Sequence, residues 1–232
     1  MLISAVVAED HDVTREGLRT LLTEKLDARV VDTTGDGLDV VPLLKDHEPD
    51  LLILDLGLPH LSGLNILRRL DSLSLSTQVV VLSMYAEESY VGEALELGAR
   101  AYVLKGSPLD ELTAGIRAVM NGDRYLGSEL SEDLLDTRPT IESQEQDRYQ
   151  TLTEREREVL QLTAEGYTSR EIGDKLHISH RTVDKHRENV QKKLDLRNTV
   201  EMATYAHRKG LLPDPPSLNS DSDTEKQDRA NV

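Results

Sequence analysis

The sequence contains no cysteine, no tryptophan and no phenylalanine. Without cysteine the chain has no disulfide, no thiolate nucleophile and no cysteine-ligated zinc, which fits a reducing cytoplasm. No apolar run approaches the roughly 18 residues of a membrane-spanning helix. The start, MLISAVVAEDHD, lacks the basic residues of a signal peptide. We therefore expect a globular, cytoplasmic protein with an aliphatic core and no membrane partner.

The charge of the chain is strongly one-sided, with a formal net charge of −16. Such a charge alone argues against nucleic-acid binding. The excess of acid is uneven, however: residues 1–120 carry −10, residues 121–150 carry −5 and residues 213–232 carry −3, whereas residues 151–212 carry +2. A polyanionic partner is therefore to be sought at this last segment.

The first 120 residues alternate between short apolar runs and helical patterns, which is typical of a parallel sheet covered on both faces. We predict a doubly wound, flavodoxin-like α/β domain with five parallel strands in the order 2-1-3-4-5. The predicted strands are Leu2–Ala8, Arg29–Thr33, Leu51–Leu54, Val79–Leu82 and Ala101–Leu104, and the predicted helices are Val13–Leu26, Leu38–Lys45, Leu64–Asp71, Glu87–Leu97 and Leu109–Met120.

From Thr151 onward the pattern is helical, without strand-like runs. We predict four segments along the chain. The α/β domain spans 1–120, a linker with a short helix spans 121–148, a small all-helical domain spans 149–213, and an acidic, disordered tail rich in Pro, Ser and Asp spans 214–232.

Chemically complementary groups follow four of the predicted strands. Glu9 and Asp10 follow the first strand, Asp55 ends a run of four apolar residues, and Ser83 and Lys105 follow the fourth and fifth strands. These strand ends meet at one edge of the sheet, where three carboxylates cannot all stay ionised unaided. Mg²⁺ suits such a site, with Glu9 bound through water and Asp10 directly. Asp55 then offers one oxygen to the metal and the other as a nucleophile, and an arriving phosphoryl group would meet Lys105 and Ser83.

This half of the chain resembles the receiver domains of response regulators. The resemblance implies that Asp55 accepts phosphate from a sensor histidine kinase, that the Gly57 carbonyl helps to bind Mg²⁺, and that Ser83 and Tyr102 reorient on phosphorylation. Two departures are Met84, which could restrict access to Asp55, and the Gly106-Ser107-Pro108 sequence after the lysine. The residues that carry the resemblance are Glu9, Asp10, Asp55, Leu56-Gly57-Leu58-Pro59, Gly63, Ser83, Tyr102 and Lys105.

Four helices are predicted in the second half. Thr153 and Thr168 each begin a capping box, and Ser179 and Asn198 are further N-cap candidates. The predicted helices are Glu154–Glu165, Ser169–Leu176, His180–Leu194 and Thr199–Lys209. The three-residue gap before the third helix has the length of a helix-turn-helix. That third helix has a net charge of +3 and suits the major groove of DNA, although a solvated face in a small bundle explains such a helix as well.

The helical module resembles the LuxR-type helix-turn-helix, so the whole chain resembles NarL/FixJ-type response regulators. The resemblance implies that the third helix binds double-stranded DNA and that the last helix forms a homodimer on phosphorylation. Asp184 and Glu188 depart from the basic residues of some members. The matching residues include Leu152-Thr153-Glu154-Arg155-Glu156, Glu171-Ile172, Ile178-Ser179, Thr182-Val183, His186-Arg187 and Lys193-Leu194. The DNA-contact candidates are Arg181, Thr182, Lys185, Arg187, Asn189 and Lys192, and the dimer-contact candidates are Val200, Ala203 and Tyr205.

Two other classes of function remain at this point. An aspartyl-phosphate phosphatase also uses an aspartate at a strand end, but it usually needs a second Asp two residues later, where this chain has Gly57. A receiver that acts only through protein contacts would carry an inert helical bundle, which the basic third helix argues against. No Gly-rich phosphate loop follows the first strand, as a nucleotide-binding enzyme would require. We therefore predict a phosphorylation-dependent transcription regulator rather than an enzyme.

Overall fold

A computed structural model describes residues 2–73, 75–130 and 148–212. Within these ranges the chain forms an α/β unit followed by a helical unit. Most of the predicted linker with its short helix, and the predicted acidic tail, lie outside the described residues. No helix in the described ranges is both long enough and apolar enough to cross a lipid bilayer.

The α/β unit is built on a parallel sheet in the order β2-β1-β3-β4-β5-β6. The doubly wound fold and the order of the first five strands are confirmed, but the prediction of a five-stranded sheet is wrong by one edge strand. β6 contains only two residues, too few for an apolar run to reveal it, and it lies in the segment assigned to the linker. The strands are β1 Ile3–Ala8, β2 Ala28–Thr34, β3 Leu51–Asp55, β4 Gln78–Ser83, β5 Ala101–Leu104 and β6 Tyr125–Leu126.

Helices cover both faces of this sheet, which explains why the central strands are apolar throughout. α1 and α5 pack on one face through residues such as Leu22 and Ile116. α2, α3 and α4 pack on the other face through residues such as Leu44, Leu67 and Val91. The helices are α1 Asp12–Lys25, α2 Gly37–His47, α3 Gly63–Asp71, α4 Glu88–Glu96 and α5 Leu109–Met120.

The helical unit consists of α6 Glu154–Ala164, α7 Ser169–Leu176, α8 His180–Leu194 and α9 Thr199–Arg208. Both predicted capping boxes form, since Thr153 and Thr168 each accept the third backbone N–H of their helix while the glutamate there bonds back. Ser179 and Asn198 cap α8 and α9. These local contacts fix where each helix begins and therefore how α7 and α8 are spaced.

The two units are packed together in this structure. The face of the α/β unit formed by α2, α3 and α4 receives α6 and the residues after it. Leu38 of α2 packs against the apolar cluster that joins α6, α7 and α8. Polar contacts surround this point, and they involve the loop between β3 and α3.

Candidate functional site

Asp55 is the last residue of β3, and its side chain is only 2% exposed. β3 pairs in parallel with β1 and with β4, so the groups that follow these strands share one edge of the sheet. Glu9 follows β1 and is also buried, and Lys105 follows β5. The structure therefore brings together the groups that the strand order predicted, at the edge where parallel sheets bind ligands.

Lys105 provides the positive charge that compensates the buried carboxylates. Its Nζ lies 2.7 Å from Asp55 Oδ2 and 3.0 Å from Glu9 Oε1. Asp55 Oδ1 accepts a hydrogen bond from the Gly57 N–H at 3.0 Å. Both oxygens of Asp55 are thus engaged, and its orientation is fixed from two sides.

Burial dominates the electrostatics of this pair. It raises the pKa of Asp55 to about 6, helped by Glu9 and opposed by Lys105 and by the Gly57 N–H. For Lys105 burial favours the neutral amine, but Asp55 and Glu9 outweigh it and raise the pKa of the ammonium above its ordinary value. The ion pair with Lys105 favours the ionised form of Asp55, which is the form that a nucleophilic carboxylate needs.

The donor set beside Asp55 fits a hard divalent cation. Within the described ranges, Glu9, Asp10 and His11 place one ligand atom each within 4.8 Å of one another. Glu9 Oε2 is buried without a hydrogen-bond partner among those residues, as an oxygen that binds an ion or its water would be. Asp55 lies outside this cluster. The sequence analysis missed His11, whose Nδ1 lies 2.8 Å from Asp10 Oδ1.

The predicted switch residues, Ser83 and Tyr102, converge on Tyr85. Ser83 is fully buried, and its Oγ accepts the Tyr85 N–H at 3.2 Å. The Tyr102 side chain is also buried, and its hydroxyl donates to the Tyr85 carbonyl at 2.8 Å. Burial raises the pKa of Tyr102, so this hydroxyl remains a donor. The Met84 side chain is 59% exposed.

The second candidate site is the outer face of α8. Val183, Val190 and Leu194 are buried, so the inner face is the one that the spacing predicted. The side chains of the opposite face are exposed or half-buried. Arg181, Thr182, Lys185 and Lys192 are exposed, and Asn189 is half-buried. The helix thus presents basic and amide groups outward, as a helix that enters the major groove does.

The two acidic residues of α8 have partners within the chain. Asp184 Oδ1 accepts from the Ser169 hydroxyl at 2.6 Å, which ties α8 to the start of α7. Glu188 Oε2 lies 3.4 Å from Lys185 Nζ on the exposed face. Asp184 therefore links α8 to α7 at the surface, and Glu188 lies on the surface beside a DNA-contact candidate.

Arg187 differs from the other DNA-contact candidates because its guanidinium is used internally. It donates to Thr163 Oγ1 at 2.9 Å, to Ser169 Oγ at 2.7 Å and to the Tyr167 carbonyl at 2.7 Å. These bonds join α8 to α6 and α7. The prediction that Arg187 contacts DNA stays a prediction, and the geometry favours a packing role.

The dimer-contact candidates on α9 also differ in how far they are exposed. Val200 is 72% exposed, whereas Tyr205 is 5% exposed and packs in the core of the helical unit. Ala203 is half-buried. Tyr205 is therefore covered within its own domain, and Val200 is the candidate that faces outward.

Gln161 is a site residue that the sequence analysis missed altogether. It is fully buried and contacts the loop after β3. Its only signal in the sequence is a polar residue within the apolar run Val159-Leu160-Gln161-Leu162. Tyr85 had no comparable signal, because its role comes from main-chain atoms.

Two family models match the chain. Residues 5–117 match the response regulator receiver domain, and residues 150–206 match the bacterial regulatory proteins of the luxR family. The first match contains the site around Asp55, and the second contains α8 entirely.

Whole-length relatives carry both parts together. The oxygen regulatory protein NreC of Staphylococcus carnosus is 35% identical over 212 residues, covering 89% of this chain and 98% of the relative. NreC of Staphylococcus epidermidis is 34% identical over 213 residues with the same coverage. Among solved structures, the RcsB response regulator of Salmonella typhimurium shares the fold with a TM-score of 0.57 and 24% identity, covering 89% of this chain and 98% of that one. An RcsB–DNA complex has a TM-score of 0.55 at 24% identity, with the same coverage. The chain therefore belongs to the NarL/FixJ-type response regulators, which join a receiver domain to a LuxR-type helix-turn-helix.

Proposed function

We propose that Asp55 accepts a phosphoryl group from a sensor histidine kinase and that this modification controls the binding of α8 to double-stranded DNA. The observation that carries the proposal is the buried Asp55 carboxylate bound by Lys105, whose Nζ also binds Glu9 of the acidic pair Glu9–Asp10. A carboxylate buried after four apolar residues costs free energy unless nearby groups compensate it, and here Lys105 and the Gly57 N–H do so. Access to both a kinase and DNA would be met in the cytoplasm.

Phosphoryl transfer needs little more from the protein than position and charge. A carboxylate oxygen of Asp55 attacks the phosphorus of a phosphohistidine, a P–O bond forms, and the P–N bond breaks with its electron pair returning to the imidazole. Lys105 neutralises the phosphoryl oxygens, and the Ser83 hydroxyl donates to them. Glu9, Asp10, Asp55 and the Gly57 carbonyl would hold Mg²⁺. When bound, the ion supplies further neutralisation of the phosphoryl charge.

The geometry supports a phosphoacceptor rather than an enzyme. An aspartyl-phosphate phosphatase needs a general acid two residues after its nucleophile. Here that residue is Gly57, whose N–H donates to Asp55. The same loop geometry that orients Asp55 therefore leaves no acid at that position to protonate a leaving group.

The DNA-binding half of the proposal is carried by the exposed face of α8. The helix as a whole carries a net charge of +3, but residues 151–212 carry only +2 and the chain −16, so one domain alone supplies few phosphate contacts. Pairing of two chains through α9 would bring two copies of α8 to half-sites about one helical turn apart. Homodimerisation on phosphorylation is therefore the step that makes binding strong.

Labelling with acetyl phosphate and Mg²⁺ tests the phosphoacceptor. We expect intact-mass spectrometry to show one added phosphoryl group that hydroxylamine removes. Asp55→Asn should show none, whereas the matched exposed variant Asp46→Asn should be labelled like the parent. Equal labelling of Asp55→Asn and the parent would contradict the assignment.

Two exposed lysines of α8 separate phosphate contact from base reading. Lys192→Ala should weaken binding to all duplexes and flatten the dependence on salt, because it removes one phosphate contact. Lys185→Ala should instead change the preference among sequences, at a cost of about 1–3 kcal/mol if it reads a guanine edge. Binding is measured on duplexes selected from a random pool with phosphorylated protein. A pool from which no duplex is selected would favour a receiver that acts only through protein contacts, and unchanged affinity in both variants would show that these two lysines do not contact DNA.

A further inference from the structure

The receiver and the helix-turn-helix domain meet at the loop that follows the phosphoacceptor. Gln161 of α6 accepts the Ser62 N–H through Oε1 at 2.7 Å and donates through Nε2 to the Leu58 carbonyl at 3.1 Å. The side chain is fully buried, so these bonds are made away from water. One amide of the DNA-binding domain thus holds two main-chain groups of the β3–α3 loop.

This loop is short and tightly tied to Asp55. The Gly57 N–H binds Asp55 Oδ1, and Leu58 is the next residue. The far end of the loop closes on the first residue after β3, since the Gly63 N–H donates to the Leu56 carbonyl at 2.9 Å. A Cβ on Gly63 would lie 2.6 Å from the Asp55 carbonyl oxygen, so the main chain is tightly packed at this end of the loop. A displacement of the Leu58 carbonyl is therefore passed on to the groups that orient Asp55.

Further contacts brace the same interface. The buried Tyr149 hydroxyl donates to Asn65 Oδ1 of α3 at 3.0 Å. His60 donates its N–H to Glu165 at 2.8 Å, and its Nε2 lies 2.9 Å from the Tyr167 hydroxyl. Gln161 therefore lies within a set of polar bonds rather than making an isolated contact.

A second contact reaches the other loop beside the phosphoacceptor. Tyr85, which binds both switch residues through its main chain, donates its hydroxyl to the Leu212 carbonyl at 3.4 Å. The Tyr90 hydroxyl donates to the Arg208 carbonyl at 3.3 Å. The helix-turn-helix domain thus contacts both loops that border the Asp55 site.

Docking does not hide the DNA-facing side of α8. Arg181, Thr182, Lys185 and Lys192 are exposed while the two domains are in contact. The receiver therefore does not cover these side chains directly. The most direct target of the contact is the conformation of the phosphorylation loop.

We propose that Gln161 is a positioning residue through which the docked DNA-binding domain holds the loop after Asp55 in its unphosphorylated conformation. This inference rests on the proposed phosphoacceptor role of Asp55. A phosphoryl group adds nearly two negative charges and three acceptor oxygens, which compete for the Gly57 N–H and the Lys105 ammonium. The loop then shifts away from the position to which Gln161 is fitted. Docking consequently slows phosphorylation, and because coupling between sites is reciprocal, phosphorylation weakens docking.

Gln161→Leu tests the coupling because it roughly preserves side-chain volume and removes both interdomain hydrogen bonds, together with the bond from Gln161 Nε2 to Glu165 at the end of α6. In the docked state the variant leaves the Ser62 N–H and the Leu58 carbonyl unpaired, whereas water pairs them after undocking. With acetyl phosphate and Mg²⁺, we expect the initial rate of phosphorylation of Asp55 to rise about fivefold or more. Gln150→Leu, at an exposed glutamine of the same domain, should keep the parental rate.

Domain separation provides a readout that a local defect would not move. The chain has no cysteine, so Glu24→Cys and Asp174→Cys place one spin label on the exposed side of each domain. We expect double electron–electron resonance to give a narrow distribution of the distance between the two labels in the unmodified protein. It should broaden with beryllofluoride and, without beryllofluoride, in Gln161→Leu.

Each outcome has a distinct meaning. A parental phosphorylation rate in Gln161→Leu, with normal labelling of Asp55 in the parent, overturns the inference and leaves the proposed function intact. Absence of labelling in the parent overturns both. If Gln161→Leu does not fold, Tyr149→Phe removes only the bond to Asn65 and should raise the rate in the same direction. A parental rate in that variant overturns the inference.

Discussion

Replacing Arg187 by methionine distinguishes a packing role from a DNA contact. Methionine retains much of the aliphatic stem but removes the guanidinium and its bonds to Thr163, Ser169 and Tyr167. Each bond contributes about 1 kcal/mol net, because Arg187 is half-buried and the freed hydroxyls can turn to water. We therefore expect the helix-turn-helix domain to lose about 3 kcal/mol of its free energy of unfolding.

Urea denaturation followed by far-UV circular dichroism measures this loss, since the chain has no tryptophan to report it. With a slope of about 2 kcal/mol/M, the midpoint of the helical domain should fall by about 1.5 M. Peptide-resolved hydrogen exchange should place the loss of protection in α6, α7 and α8.

Lys192→Met is the matched control, because it removes the same charge from an exposed position of α8. It should leave the midpoint unchanged and weaken DNA binding. A parental midpoint for Arg187→Met, combined with lost DNA affinity, would refute the packing role and make Arg187 a DNA contact.

Two further predictions concern stability of the receiver. Gly63→Ala should destabilise it by about 1–3 kcal/mol or more, because the new Cβ would meet main chain at 2.6 Å, whereas Gly17→Ala, with open space around its Cβ, should stabilise α1 by roughly 0.5–1 kcal/mol. Equal thermal midpoints for the two variants would contradict this packing argument. Asp50 accepts the Ser4 N–H at 2.8 Å and the Ser4 hydroxyl at 2.6 Å, and these bonds hold the pKa of its carboxyl below the ordinary value. A lowered pKa stabilises the fold above the ordinary carboxyl pKa and loses that contribution as pH falls through the folded value. Asp50→Asn should therefore have a lower free energy of unfolding than the parent at neutral pH. Urea titrations should show this difference becoming smaller in acid, and a difference that grows there would refute the assignment.

The elements of the fold were largely predictable because their signals are local. Continuous apolar runs marked the strands covered on both faces, and the capping boxes at Thr153 and Thr168 marked helix starts. The exception was β6, whose two residues carry too little pattern and pair only because α5 returns the chain to the sheet edge.

The site around Asp55 was predictable for a topological reason. Once the strand order is known, the carboxyl ends of β1, β3 and β5 share an edge, and the contacts of Lys105 with Asp55 and Glu9 follow from that order. His11 was not predicted, although it directly follows the acidic pair, because Mg²⁺ prefers oxygen ligands.

Contacts between segments far apart in the chain needed the folded molecule. Whether Arg187 faces DNA or its own domain depends on where Thr163 and Tyr167 lie. Helical periodicity does not predict the positions of these two residues. The partner of Gln161 is a main-chain carbonyl 103 positions earlier, which no side-chain pattern can reveal. Periodicity states which face of a helix is buried, whereas the docking of one domain on another decides what that face touches, because each domain presents several surfaces of similar polarity.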